Sequence, residues 1–184
     1  YLWSDGQTTQ TATGLSAGTY TCQITDFNGC VSSDNVSISE PSLALSTSIS
    51  STNILCHGDA TGSATITVGG GTSPYTYLWS DGQTTQTATG LLAGPYTCQI
   101  TDFNGCPITE SVTISEPSLA LSSSISFTNI LCNGAATGSA TVSVNGGTSP
   151  YIYLWSDGQT TQTATGLSAG TYTCQITDFN GCIF

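Results

Sequence analysis

The chain repeats itself with a fixed period of 76 residues, and this feature constrains its fold more than any other. Residues 1–30 are identical to residues 153–182, and the intervening copy at 77–106 differs from them only at Leu92 and Pro95. A fixed period of this kind marks tandem copies of one small structural unit. We therefore expect the function to lie in the array of units rather than in a single domain.

Each repeat is short and carries several cysteines. A unit of 76 residues buries only a modest part of its surface, so units of this size usually need a covalent or metal staple. The eight cysteines of the chain show no zinc-type CxxC spacing, which favours an oxidised, secreted protein stabilised by disulfides. We expect an extracellular location.

The chain is acidic throughout. It has no Lys or Arg against 11 Asp and Glu residues, and its formal net charge is −11. Nucleic acids and anionic lipids are bound through cationic side chains, so both classes of partner are excluded. One His and no Lys or Arg also leave few groups for acid–base catalysis, and we expect no enzymatic activity.

The single histidine gives little support for a metal or catalytic site. His57 follows Cys56 and precedes Asp59, but the corresponding positions one period later are Asn133 and Ala135. A function built on His57 would therefore be missing from the next repeat. We expect no catalytic residue and no metal ligand here, and the absence of a run of 18 apolar residues predicts no membrane insertion in this segment.

The unit boundaries are predicted at two Glu-Pro steps, before Pro41 and Pro117, which lie one period apart. Proline cannot donate to a sheet ladder and tends to lie at strand ends. The chain then divides into a partial repeat at 1–40, a complete repeat at 41–116 and a repeat lacking its last strand at 117–184.

The middle repeat has the pattern of short strands. Apolar residues alternate with Ser, Thr or Ala along residues 43–49 and 64–68, and Tyr77 and Trp79 share one face. This period of two indicates strands, and no stretch has a helical period. Turn dipeptides such as Asn-Gly separate the runs. About seven short strands per repeat predict an all-β fold of tandem immunoglobulin-like sandwiches.

Several motifs recur in an order that resembles a known repeat. In the middle repeat they are Cys56, Gly62-Ser63-Ala64-Thr65, Gly70-Gly71-Thr72-Ser73-Pro74-Tyr75, Tyr77-Leu78-Trp79-Ser80 and Thr101-Asp102-Phe103-Asn104-Gly105-Cys106. Through these motifs the chain resembles the SprB repeat of long surface adhesins in gliding Bacteroidetes, and more distantly the PKD domain. The resemblance implies a β-sandwich, export to the bacterial cell surface through the type IX system, and a role in adhesion or gliding motility.

The resemblance also implies a disulfide pattern. The cysteines that recur in the family are the early one and the one after the Asn-Gly turn. Carried over to this sequence, they imply the disulfides Cys56–Cys106 and Cys132–Cys182. The partner of Cys30 would then lie outside these 184 residues.

A third cysteine in each repeat leaves another pairing open. The family usually has Val where this chain has Cys22, Cys98 and Cys174. The segment Tyr96-Thr97-Cys98 is similar to the Tyr-x-Cys arrangement of immunoglobulin domains, which favours a Cys56–Cys98 disulfide. If unpaired, these third cysteines are expected either to be buried as small apolar residues or to bridge neighbouring strings.

Hydroxyl and amide groups offer sites for glycans. The candidate glycosylation sites are the N-linked sequon at Asn35 and four threonines of a polar run, Thr84, Thr85, Thr87 and Thr89. The same run also suits a polar edge strand that resists mispairing.

Two further features have alternative interpretations. Asp81 and Asp102 lie at turns, where they either bind Ca²⁺ between adjacent units or cap their own turns through backbone hydrogen bonds. Trp79 and Tyr77 either form a sugar-stacking platform, or Trp79 is the core tryptophan of the sandwich. We expect no other cofactor.

These features predict a structural, adhesive protein that forms an extended string or filament on the bacterial surface. We expect it to self-associate into fibres or lateral bundles and to contact surface polysaccharides. An array of carbohydrate-binding modules and an inert spacer stalk of a large adhesin are the alternatives.

Overall fold

The computed structural model describes residues 1–184 and consists of fourteen β-strands. It has no helix of the length and apolarity that crossing a membrane requires. The strands of the partial first repeat are β1 (Leu2–Trp3), β2 (Gly18–Thr25) and β3 (Val31–Ile38). Those of the middle repeat are β4 (Ser46–Thr52), β5 (Gly62–Gly69), β6 (Thr76–Trp79), β7 (Thr87–Leu91), β8 (Gly94–Thr101) and β9 (Pro107–Ile114). Those of the third repeat are β10 (Ser122–Thr128), β11 (Gly138–Asn145), β12 (Ile152–Trp155), β13 (Thr163–Leu167) and β14 (Cys174–Thr177).

The middle repeat is a sandwich of two antiparallel sheets. One sheet has the strand order β4-β5-β7 and the other the order β6-β8-β9. The third repeat repeats this arrangement with the sheets β10-β11-β13 and β12-β14, while the first repeat supplies one sheet, β1-β2-β3. The predicted all-β sandwich is therefore confirmed. The middle repeat forms six strands rather than about seven.

The core of the middle repeat lies between its two sheets. Alternate residues of β5, including Ala64 and Ile66, are buried, as the side-chain period of a strand requires. Trp79 from β6 and Ile100 from β8 reach into the same cluster from the opposite sheet. The corresponding core of the third repeat is formed by Ala140, Val142, Trp155, Ala164, Leu167 and Ile176.

The third repeat is described as far as Phe184, which corresponds to Ile108 near the beginning of β9. In the middle repeat the whole of β8 pairs with β9, from Gly94 opposite Ile114 to Thr101 opposite Pro107. In the third repeat β14 is four residues long and pairs with β12. A cavity of about 710 Å³ in this repeat is lined by residues that include Phe127 and the core Trp155. The exact unit boundaries at Pro41 and Pro117 stay predictions.

Candidate functional site at the junction between repeats

A disulfide joins the middle repeat to the third repeat. It links Cys56, in the loop between β4 and β5, to Cys182, which follows β14, across a sequence separation of 126 residues. Their Cα atoms are 5.6 Å apart, within the range that a disulfide spans. The covalent staple of this protein thus lies between two repeats and not within one.

The Cys56–Cys106 disulfide implied by the family resemblance does not form. The loop of Cys56 is bonded to the chain just beyond the C-terminal end of β9, where the Ile54 N–H donates to the Ser115 carbonyl at 2.9 Å. Cys106 immediately precedes Pro107, the N-terminal residue of β9. An eight-residue strand is roughly 25 Å long, whereas the Cα atoms of a disulfide lie within about 7 Å. The two cysteines occupy opposite ends of the sandwich.

The Cys132–Cys182 disulfide is absent for the same reason. Cys132 occupies in the third repeat the position that Cys56 has in the middle repeat, and Cys182 occupies the position of Cys106. The two residues are therefore at opposite ends of their repeat. Cys132 is free and exposed, as are Cys30 and Cys106.

The alternative Cys56–Cys98 disulfide does not form either. Cys98 lies on β8 opposite Trp79 and is fully buried in the core, while Cys56 lies outside that core cluster. Burial raises the pKa of the Cys98 thiol, with a smaller opposing effect from a backbone hydrogen bond at Leu78. Its counterparts are also free: Cys22 is buried and Cys174 is half-buried.

Hydrogen bonds within the third repeat hold the loop of Cys182 at the end of the repeat that faces the middle repeat. The loop before Cys182 is bonded to a second loop, because the Phe179 N–H donates to the Thr148 carbonyl at 2.8 Å. That second loop is bonded to the beginning of the repeat, since the Gly147 N–H donates to the Leu119 carbonyl at 3.0 Å. Cys182 therefore lies near the chain segment that enters the third repeat.

The buried side chain of Asp178 accepts hydrogen bonds from the loop that carries Cys182, and we call this arrangement the aspartate clasp. Oδ1 of Asp178 accepts hydrogen bonds from the N–H groups of Cys182 (2.8 Å) and Asn180 (2.9 Å), and its Oδ2 accepts one from Thr148 (2.8 Å). The side chain is almost fully buried. Because the carboxylate has three main-chain donors, it fixes the conformation of the loop that presents Cys182.

The middle repeat contains the same clasp around Cys106. Oδ1 of Asp102 accepts from the N–H groups of Cys106 (2.9 Å) and Asn104 (3.0 Å), and Oδ2 accepts from Thr72 (3.0 Å). The hydrogen bond from Cys106, supported by those from Thr72 and Asn104, lowers the pKa of Asp102 against the raising effect of desolvation. The first repeat keeps part of the clasp, since Oδ1 of Asp26 accepts from the Cys30 N–H at 2.8 Å.

Asparagine 180 adds a direct polar contact across the junction. Its Nδ2 donates to the carbonyl of Leu55 in the middle repeat at 3.1 Å and to Oγ1 of Thr148 in its own repeat at 3.0 Å. Asn104, its counterpart, donates only to Thr72 within its own repeat, at 2.9 Å. The sequence pattern identified Asn180 only as part of a turn, so its role at the junction was missed.

The loop of Cys56 is also hydrogen-bonded to the segment that links the two repeats. The Gly58 N–H donates to Oε2 of Glu116 at 2.5 Å. Nδ1 of His57 donates to the Pro117 carbonyl at 2.8 Å and lies 3.5 Å from Oε1 of Glu116. These contacts give His57 a structural position beside the linker. The third repeat retains the glycine, as Gly134, but not the histidine.

The aspartates at the other turns are bonded within their own loops. Oδ1 of Asp81 accepts from the N–H of Gln83 at 3.1 Å, and its Oδ2 accepts from the Gln83 side chain at 2.7 Å. No group of three or more His, Cys, Asp or Glu side chains converges in the structure. Asp81 therefore caps its own turn, and a Ca²⁺ ion between adjacent units stays a prediction.

The aromatic residues considered for sugar stacking belong mainly to the core. Trp79 is 2% exposed, and its Nε1 donates to the Thr85 carbonyl at 2.8 Å. Tyr77 is half-buried against the same core cluster, as is Tyr75, whose hydroxyl donates to the Gly70 carbonyl at 2.6 Å. The ring of Trp79 therefore offers no face to a sugar.

The predicted glycosylation sites differ in accessibility. Thr84, Thr85 and Thr89 are exposed on or beside β7, which is an edge strand of its sheet. Thr87 is half-buried, and its hydroxyl lies 3.1 Å from that of Thr65 on the neighbouring strand. Asn35 is exposed on β3, and its Oδ1 accepts a hydrogen bond from the Thr21 hydroxyl at 2.7 Å.

Comparison with known proteins gives a family match and a similarity to a solved structure. The family model described as SprB repeat matches residues 48–84 and 124–160, two segments one period apart. Among solved structures, the chain is similar to the "tetra-tandem repeat in extending region of large adhesion protein", with 17% sequence identity and a TM-score of 0.25. That match covers 93% of this chain and 55% of the other, so the chain spans about half of that structure. None of the curated proteins matches the chain.

Proposed function

The chain belongs to the SprB-repeat family, and on that premise we propose that it serves as an extracellular, adhesin-like repeat region whose units are joined end to end into an extended surface string. The observation that carries this proposal is the Cys56–Cys182 disulfide, which locks the end of one repeat to the beginning of the next. Structural disulfides persist mainly in secreted and surface proteins, which supports a location outside the cell.

The junction supports a mechanical role for the array. Besides the disulfide, it holds the Asn180–Leu55 hydrogen bond and the contacts of the Cys56 loop with Glu116 and Pro117. In a tandem array each unit contacts mainly its neighbours, so a locked junction carries orientation and tension from one unit to the next. Repetition then supplies length and many copies of the same surface, which raises avidity for a surface ligand.

The surface chemistry favours a solvated string without intrinsic enzymatic activity. The chain has 11 acidic residues and no Lys or Arg to pair with them, so neighbouring strings repel each other at low ionic strength. Lateral association into fibres or bundles is therefore expected to require screening by salt. The exposed hydroxyls of Thr84, Thr85 and Thr89 are the positions best placed to carry glycans.

Electron microscopy of the native array tests this proposal. We expect thin strings whose length grows by about 35–45 Å per repeat, as sandwiches of seven-to-eight-residue strands with loops require. Strings should remain separate at low salt and associate laterally when salt is added. Compact particles whose length does not grow with the number of repeats would contradict the string.

The adhesive part of the proposal needs a separate measurement. Beads coated with the oxidised array should be retained on surfaces coated with bacterial polysaccharide more strongly than beads coated with an equal mass of unfolded array. Equal retention of the two kinds of bead would leave a spacer without adhesive function. Because this experiment does not depend on string length, it separates adhesion from architecture.

A further inference from the structure

The three exposed free cysteines mark positions at which the inter-repeat disulfide recurs. The structure contains one such bond, between the early cysteine of one repeat and the cysteine after the Asn-Gly turn of the next, 126 residues later. Cys132 is an early cysteine, and Cys30 and Cys106 both follow an Asn-Gly turn. If the same separation of 126 residues applies, the partner of each of these three cysteines lies outside residues 1–184.

We infer that each early cysteine of the longer array is oxidised to the Asn-Gly cysteine of the following repeat, so that disulfides tie every junction into a continuous ladder. In this ladder Cys132 bonds to a repeat that follows residue 184. Cys106 and Cys30 bond to the early cysteines of the repeats that precede their own. The ladder is a property of the array, and it holds whether or not the array is adhesive.

The loop that presents Cys106 is already built for this bond. The Asp102 clasp holds it as the Asp178 clasp holds Cys182, with hydrogen bonds to the cysteine N–H of 2.9 and 2.8 Å. Residues 77–106 and 153–182 also differ at only two positions, neither of them in this loop. The same sequence in the same conformation presents the same thiol to a preceding repeat.

At the opposite end of the third repeat, the loop of Cys132 is more exposed than the loop of Cys56. Leu131 is 93% exposed, whereas its counterpart Leu55 at the occupied junction is 56% exposed. Cys132 is exposed, whereas Cys56 is half-buried. A following repeat docked as the third repeat docks on the middle one would cover this apolar residue and bring a thiol to Cys132.

The bond forms by thiol–disulfide exchange with an oxidant of the disulfide class. The thiolate of Cys132 attacks one sulfur of the oxidant, and a mixed disulfide forms as the first oxidant thiol leaves. The thiolate of the partner cysteine then attacks the sulfur of Cys132 and displaces the second oxidant thiol. Overall, two protein thiols become one disulfide, and the oxidant is reduced to two thiols.

A complete ladder limits how far the array extends under load. Each disulfide bridges 126 residues. The shortest covalent path from one end of the array to the other therefore alternates between disulfides and short main-chain segments. Each segment runs from an Asn-Gly cysteine to the next early cysteine, as from Cys106 to Cys132. This path includes β9 and β10 but bypasses the other strands of both sandwiches. Unfolding therefore lengthens an oxidised string only by what the segment 106–132 can still extend, whereas it lengthens a reduced string by whole repeats.

The inference is tested on a chain lengthened at its C-terminus by a further copy of residues 33–108. To keep the peptides distinguishable, Cys106→Ser is made in the original repeat only, and Cys56→Ser is made in the appended copy only. The protein is folded with glutathione disulfide and mapped by non-reducing chymotryptic peptide mass spectrometry, since trypsin has no site in a chain without Lys or Arg. We expect Cys56 linked to Cys182 and Cys132 linked to the appended copy of Cys106. In a matched Cys132→Ser variant, the first link should persist and the appended thiol should become free.

Two results would overturn the ladder. One is a Cys132–Cys182 link in the lengthened chain, which would show pairing within a repeat. The other is a free Cys132 in lengthened protein that has formed the Cys56–Cys182 link and is therefore folded and oxidised. In both cases the identity of the next residue settles the assignment, because Cys132 is followed by Asn133 and Cys56 by His57.

Discussion

The Oδ1 atom of Asp178 accepts a hydrogen bond of 2.8 Å from the main-chain N–H of Cys182, the cysteine that reaches across to the preceding repeat. The same relationship joins Asp102 to Cys106 at 2.9 Å. Hydrogen bonds from main-chain N–H groups, with that from Cys106 the largest effect, lower the pKa of Asp102. The aspartate before each Phe-Asn-Gly turn therefore shapes the loop on which the inter-repeat bond depends.

Acid should weaken the middle repeat through Asp102. Its pKa is lowered in the folded state by the N–H groups of Cys106, Thr72 and Asn104, so its contribution to stability is present above the unfolded value, about 3.9. That contribution is lost as pH falls through the lower folded value. Denaturant titrations between about pH 2 and 5 should show stability falling with acid. The fall should be shallower in Asp102→Asn.

The charge control is Asp59→Asn, which removes an exposed carboxylate outside this clasp. An identical fall in stability in Asp102→Asn and in the unmodified chain would refute the assignment.

Replacing Asn180 should loosen the junction, whereas replacing Asn104 should not. Both side chains bond a threonine of their own repeat, but only Asn180 also bonds Leu55 across the junction. One hydrogen bond contributes about 0.5–1.5 kcal/mol, so Asn180→Ala should lower the effective concentration of the Cys56 and Cys182 thiols roughly 2- to 10-fold. Equilibration with glutathione measures that concentration, and equal effects of the two substitutions would count against the contact.

Alanine should be tolerated less well at Gly70 than at Gly82. Both glycines have positive φ angles, 65° and 89°, so alanine at either position carries a strain of roughly 1–2 kcal/mol. A Cβ atom on Gly70 would also clash with the Ala44 carbonyl oxygen, while one on Gly82 meets nothing within 4 Å. Urea denaturation should therefore show the larger loss for Gly70→Ala. Equal losses would mean that the loop of Gly70 does not lie against Ala44, which precedes β4, as the structure describes.

Cys98 should resist alkylation until the middle repeat unfolds. It is fully buried and its thiol pKa is raised by desolvation, so both access and the thiolate fraction are low. Iodoacetamide should modify the exposed Cys30, Cys106 and Cys132 first. Cys98→Val should be nearly neutral, whereas Cys98→Ser buries a hydroxyl and should cost about 1–3 kcal/mol. Early labelling of Cys98 in folded protein would contradict its place in the core.

Local pattern was sufficient to predict the strands and the core. The alternation along β5 and the shared face of Tyr77 and Trp79 follow from the period of a strand, and the structure buries Ala64, Ile66 and Trp79. The turn at Asn104-Gly105 likewise follows from residue type. These features depend on residues that are close in sequence or that face each other on neighbouring strands. Short-range patterns in a single sequence are therefore enough to predict them.

The pairing of the cysteines could not be predicted in the same way. It depends on which end of the sandwich each loop occupies and on how the next repeat docks. The eight residues of β9 place Cys106 at the far end of the repeat from Cys56, a separation that spacing along the chain does not reveal. The partner of Cys56 lies in another repeat, where a family pattern defined on one repeat cannot identify it.

The most direct test of this account is a non-reducing peptide map of the oxidised 184-residue chain. We expect one disulfide, joining the Cys56-His57-Gly58-Asp59 fragment to the Cys182-Ile183-Phe184 fragment, with six free thiols. Disulfides within repeats would instead join the Cys56 fragment to Cys106-Pro107 and leave four of the eight cysteines free. The first result establishes repeats locked to one another, and the second would contradict the junction as the structural unit of the array.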